Sequence, residues 1–177
     1  NHTIGSNIIY NLSSSATGAA TVNGIFFGSS TGTNVVEKNF VYDLNAGSAT
    51  SLLSGIFANA GTATYRNNMV RLGVDGNSAT IGMAISGINE SAGTNNMYHN
   101  SVYVGGAPTS GASNSFAFQS VVTTNVRNFI NNIFVNKRSN SGSTGKHYAI
   151  RVGGTTASPA GLTSNGNILF VNGTGSF

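Results

Sequence analysis

An asparagine flanked by apolar residues returns along this chain at a nearly constant interval: Asn7, Asn39, Asn68, Asn100, Asn132 and Asn167, separated by 32, 29, 32, 32 and 35 residues. Two positions after each marker stands an apolar residue: Ile9, Val41, Val70, Val102, Phe134 or Leu169. Three positions before most of them stands another: Ile4, Val36, Tyr65, Met97 or Phe129. A fixed period of this size, carried by strand-forming residues, is the sequence signature of a solenoid.

Cutting at the markers gives coils 7–38, 39–67, 68–99, 100–131 and 132–166, and a fragment 167–177. Each coil holds three short runs rich in Val, Ile, Phe and Tyr, one after the marker, one mid-coil and one leading into the next marker, separated by Gly, Asn and Ser. Three strands per coil, repeated in register, predict an all-β, right-handed parallel β-helix of about 5–6 coils of 29–35 residues, forming one domain over 1–177. The markers should stack in a column whose amides bond one another, with Asn supplying the left-handed backbone of a tight corner. Length variation falls to the Ser/Thr/Gly tracts 13–21, 45–51, 105–115 and 139–146. An antiparallel sandwich also suits strands at this spacing, but it does not require one Asn at the same phase of every repeat.

The apolar-x-x-Asn-x-apolar pattern, as in Val36-Glu37-Lys38-Asn39-Phe40-Val41 and Phe129-Ile130-Asn131-Asn132-Ile133-Phe134, resembles the right-handed parallel β-helix repeats of pectate-lyase-like proteins. The Gly/Ser/Thr/Asn-rich wording resembles the β-helix regions of large secreted bacterial surface proteins. That resemblance implies an extracellular or cell-surface location. Catalysis of the pectate-lyase kind would imply a carboxylate cluster for calcium and a basic residue to abstract a proton.

The composition argues against such chemistry. Only 7% of residues are charged, and the acids are Glu37, Asp43, Asp75 and Glu90. Counted from the preceding marker they fall at unrelated phases, so no two should face a shared cleft as glycoside hydrolysis requires. Glu37 and Arg66 each sit two before a marker and should form a structural ion pair on adjacent coils. His2, His99 and His147 are out of phase with one another and predict no metal triad. No catalytic residue, metal or cofactor is expected. The net charge of +4 rests on few cations, and the one dense group, Lys137, Arg138 and more loosely Lys146, reads as a solvated turn rather than a nucleic-acid surface. No apolar run is long enough to cross a membrane as a helix.

Function is therefore sought on a surface. If the residue two after each marker points inward, those one and three after it point outward. These columns read Ile8, Phe40, Met69, Ser101, Ile133, Ile168 and Tyr10, Tyr42, Arg71, Tyr103, Val135, Phe170, apolar and aromatic where water would favour polar groups. One expectation is a structural, adhesive or filament-forming module that associates with itself, end to end or laterally, or with flanking segments of a longer polypeptide. Another is a carbohydrate-binding or carbohydrate-active β-helix, with Tyr10, Tyr42, Arg71 and Tyr103 as a flat platform for sugar rings. A long loop folded over the strip would remove both.

Overall fold

The computed structural model describes residues 1–177, and it is a parallel β-solenoid of about 5 turns with a single short 3-10 turn, Gly76–Ala79. Three sheets run the length of the solenoid. The lead-in sheet comprises Thr3–Gly5, Thr33–Glu37, Thr62–Arg66, Thr94–Tyr98, Arg127–Ile130 and Leu162–Asn165. The lead-out sheet comprises Ile8–Ile9, Phe40–Tyr42, Met69–Leu72, Ser101–Val104, Ile133–Asn136 and Ile168–Val171. The mid-coil sheet comprises Thr21–Phe27, Leu52–Ala58, Ala84–Glu90, Ser115–Ser120 and His147–Arg151. Every strand pairs in parallel with its equivalent one coil away, Val70 for example lying between Val41 and Val102. The tracts 13–21 and 45–51 are not wholly loop: Leu12–Ser14 and Leu44–Ala46 form a fourth, two-stranded sheet.

Stacking sets the core. The column three before the markers, Val36, Tyr65, Met97 and Phe129, is fully buried. It meets the column two after them, Val41, Val70, Val102 and Phe134. From the mid-coil sheet come Ile25, Ile56, Ile88 and Phe118. A glycine column, Gly24, Gly55 and Gly87, lets that sheet come close. A Cβ on any of the three would overlap Val41, Val70 or Val102, and the carbonyl of the next coil's residue as well. The glycines serve close approach here rather than turning.

The Asn column forms as a continuous ladder. Each amide oxygen accepts both the backbone N–H and the Nδ2 of the preceding marker, the amide-to-amide bonds running 2.9–3.0 Å from Asn7 to Asn167. The same Nδ2 also donates to the carbonyl of the apolar residue three before the previous marker, as Asn68 does to Val36 and Asn100 to Tyr65, both at 2.9 Å. One side chain thus ties together three segments on neighbouring coils. The left-handed corner residue, however, is the one before the marker and not the Asn itself. Ser6, Lys38, Asn67, His99 and Asn131 have φ between 54° and 59°, and Gly166 has 63°. The markers themselves have no positive φ, their backbone N–H groups join the ladder, and the left-handed turn falls to the residue before each.

Candidate functional site

The outward columns of the lead-out sheet form an exposed surface rich in apolar side chains. Ile8, Met69 and Ile168 are more than half exposed, as is Tyr10, and no loop folds over them. Between Phe40, Met69, Arg71, Tyr103, Ile133 and Val135 the sheet carries a shallow hollow of about 370 Å³. The side chains lie outward because their neighbours Val41, Val70, Val102 and Phe134 are committed inward, and a strand's faces alternate.

The four residues of the expected platform occupy this face, but they do not make a flat one. The rings of Tyr10 and Tyr42 are parallel within 5° with centroids 5.2 Å apart, too close for rings lying side by side in one plane. They stack on each other along the solenoid axis. The Arg71 guanidinium then lies 5.4 Å from the Tyr42 ring centre, so Tyr42 is covered on both sides. Arg71 is held by a two-point ion pair to Asp75, at 2.8 and 2.9 Å. Adjacent coils are spaced by about 4.8 Å, close to aromatic stacking distance, and the rings satisfy one another first. Tyr103 stands apart, lining the hollow.

Arg66 Nε donates to Glu37 Oε2 at 2.7 Å on neighbouring coils of the lead-in sheet. Asp43 accepts from Asn45 at 2.8 Å. Together with Asp75 on Arg71, three of the four carboxylates have an identified partner at the surface. The fourth is Glu90, fully buried inside the mid-coil sheet. Its oxygens accept from Asn95 Nδ2 at 3.0 Å and from Ser120 Oγ. Ser120 Oγ accepts in turn from buried Arg127 at 3.1 Å. Desolvation raises the Glu90 pKa, opposed by those hydrogen bonds and by the charge of Arg127. Tyr65, which shares this interior, is raised by its own burial and then by the Glu90 charge.

A second polar cluster fills the interior one to two coils further on. His147 Nε2 lies 2.9 Å from Asn140 Oδ1, and Nδ1 lies 2.9 Å from Ser115 Oγ. Asn140 directs its Nδ2 to the Gly145 carbonyl, so its oxygen faces the imidazole. An amide oxygen only accepts, which places the ring proton on Nε2 and makes Nδ1 the acceptor of the Ser115 hydroxyl. Asn136 Nδ2 completes the cluster by donating to Ser115 Oγ at 3.0 Å. Desolvation first, and the Arg138 charge second, lower the His147 pKa to about 4. The order serine, histidine, amide is that of an activated nucleophile, but Ser115 and His147 are fully buried and no hollow reaches them. The cluster is an internal hydrogen-bonded plug.

Arg138 corrects the reading of residues 137–146 as a solvated turn. Its guanidinium is fully buried and donates to the carbonyls of Ser78, Gly105 and Ile81, clamping two loops from earlier coils. Burial without a carboxylate partner lowers its pKa to about 10. One signal for the plug was present in the sequence: Ser115 and His147 are each fifteen residues past a marker, and the sheet pairs them. Composition gave no warning that an inward column would change from apolar to polar. His, Cys, Asp and Glu side chains nowhere gather in groups of three or more that could hold a metal. No helix is long and apolar enough to cross a membrane. In comparisons with family models, curated proteins and solved structures, nothing matches this chain.

Proposed function

We propose that this solenoid is a non-catalytic structural or adhesive module of a secreted, cell-surface or filament-forming protein, of the right-handed pectate-lyase-like β-helix type, and that it associates laterally with a second copy through the outer face of its lead-out sheet. The observation that carries this is the apolar column on that face, where Met69 is 54% and Ile133 40% exposed beside the hollow lined by Phe40, Tyr103 and Val135. Water favours polar groups at outward strand positions, and a contiguous apolar patch is the mark of a contact surface.

The test is assembly. Sedimentation and electron microscopy of the purified chain are expected to show solenoids paired side by side at high concentration. Met69→Lys combined with Ile133→Lys, which puts charges on that face and leaves the core untouched, is expected to leave single solenoids. Wild-type chains that stay single up to high concentration would remove the proposal.

A second reading, carbohydrate binding or carbohydrate-active chemistry, is supported by the aromatic and basic residues Tyr10, Tyr42, Arg71 and Tyr103 beside the hollow. It is checked by titrating wild type, Tyr42→Ala and Tyr103→Ala against neutral and acidic polysaccharides. Absent or unchanged binding rejects it.

A further inference from the structure

We propose that His147 is the pin of an acid-released clasp that holds the loop 137–146 and the segment 172–177 against the fifth coil. The geometry is specific to the neutral ring. Its two nitrogens work in opposite senses, Nε2–H donating to Asn140 and Nδ1 accepting from Ser115. Asn140 passes this hold outward in two ways: its side chain donates to Gly145 O at 2.8 Å, and its backbone N–H donates to Thr174 O at 2.9 Å. The backbone of His147 grips the same segment directly. Its N–H donates to Gly175 O, and its carbonyl accepts from the Phe177 N–H, both at 2.8 Å. Ser139 Oγ, also in the loop, accepts from the Thr174 N–H. One imidazole therefore sits where strand, loop and segment meet.

A proton on Nδ1 reverses one of those senses. The Ser115 hydroxyl can no longer donate to the ring: its oxygen, already accepting from Asn136, can take the new N–H only by turning its own proton away, and Ser115 Oγ has no other partner in this sealed interior to receive that proton. The charged groups around the ring offer no compensation. Arg138, from the loop after Ile133–Asn136, is cationic and buried beside it, and adjacent Lys146 is turned to the Phe177 ring, 4.1 Å from its centre. No side chain of Ser115–Ser120 or of the segment 172–177 is a carboxylate. The charged ring is relieved by leaving, and the loop and segment open with it. The neutral ring's preference agrees, with its pKa held down near 4 against an ordinary 6.5.

The experiment is amide hydrogen exchange by NMR on the wild-type chain from pH 7.5 to 4.5, corrected for intrinsic rates, with the His147 ring followed in the same samples. Protection of the His147 and Phe177 amides is expected to fall about tenfold per pH unit below 6.5, the dependence of a one-proton opening, while Val102 in the core holds. Asn140→Asp supplies a carboxylate to the charged ring. It is expected to raise the His147 midpoint and to flatten the loss of protection. Flat protection of the two amides in wild type overturns the proposal, and so does an identical loss in Asn140→Asp despite a raised midpoint. Neither readout uses the outer face of the lead-out sheet, so they do not depend on whether solenoids pair through it.

Discussion

The interior of the mid-coil sheet changes character along the axis while its backbone does not. In the first three coils the inward column reads Val22, Leu53, Ile85, and in the last two it reads Ser115, His147, all in one register. A second column goes from Phe27 and Ala58 to Glu90 and Ser120. The apolar half is held by burial, which asks for volume and little else. The polar half is held by hydrogen bonds that must nearly all be made at once, since an unpaired buried group costs about 1–3 kcal/mol. A solenoid's stacking thus fixes where a side chain goes but leaves open which kind of cohesion fills the place. The apolar half should tolerate change of shape poorly and change of pH well, the polar half the reverse.

The strongest test of the apolar half is Gly55→Val. The new side chain would overlap Val70 and the Gly87 carbonyl, and neither can move without displacing a neighbouring coil. A loss of about 3 kcal/mol or more is expected in urea unfolding, at the upper end of overpacking costs. A loss under ~1 kcal/mol would mean that the two sheets are not in such close contact. In the polar half, Arg138→Met keeps most of the volume but leaves the carbonyls of Ser78, Gly105 and Ile81 without their donor. About 2–4 kcal/mol should go, with the loop 73–82 becoming the first site of proteolytic cutting.

The ladder allows a comparison within a single motif. Asn100→Ala strands the Asn68 N–H and Nδ2 and the Tyr65 carbonyl in the interior and should cost about 2–3 kcal/mol. Asn7→Ala, at an exposed position, removes one donor from Asn39 Oδ1 but leaves it the bond from the backbone N–H of residue 7, and should cost less than ~1 kcal/mol. Equal costs would mean that the bonds between markers contribute nothing beyond packing.

The pH dependence is the effect that separates the two kinds of cohesion most cleanly. His147 is held neutral, so its folded pKa of about 4 is below its ordinary 6.5. Its contribution is complete above pH 6.5 and is lost as pH falls toward 4. Glu90 has the opposite sign: with its folded pKa raised, its contribution is present below the ordinary carboxylate range and is lost as pH rises through the folded value. His147→Gln should flatten the acid side of the stability curve and Glu90→Gln the neutral side, both read from denaturant midpoints. Wild-type midpoints independent of pH from 4 to 8 would dissolve the contrast between the two halves.

Much of the fold was legible because stacking makes one short pattern answer for every coil. The spacing of Asn7 to Asn167, with apolar residues at fixed distances, identified the lead-in and lead-out strands, the inward columns and the amide ladder. The place of the left-handed corner was not legible: Ser6, Lys38, Asn67, His99 and Asn131 have no residue type common to all, and only the geometry of the ladder assigns the turn to them. Leu12–Ser14 and Leu44–Ala46 were too short to be recognised as paired strands. On the outer face the columns were readable, but the ring orientations that turn Tyr10 and Tyr42 toward each other were not. Side-chain rotamers are chosen by neighbours one coil away.

Periodicity in the sequence decided by itself that successive turns of backbone lie over one another, because only a stacked coil gives an identical demand every thirty or so residues. The tertiary structure alone decided the fate of the charged and polar residues between the markers. Arg138 and Lys137 are neighbours in sequence, and one is sealed inside while the other faces water. Burial of a polar group depends on which carbonyls and hydroxyls wait for it across the interior, and for Arg138 those partners come from 33 to 60 residues away along the chain.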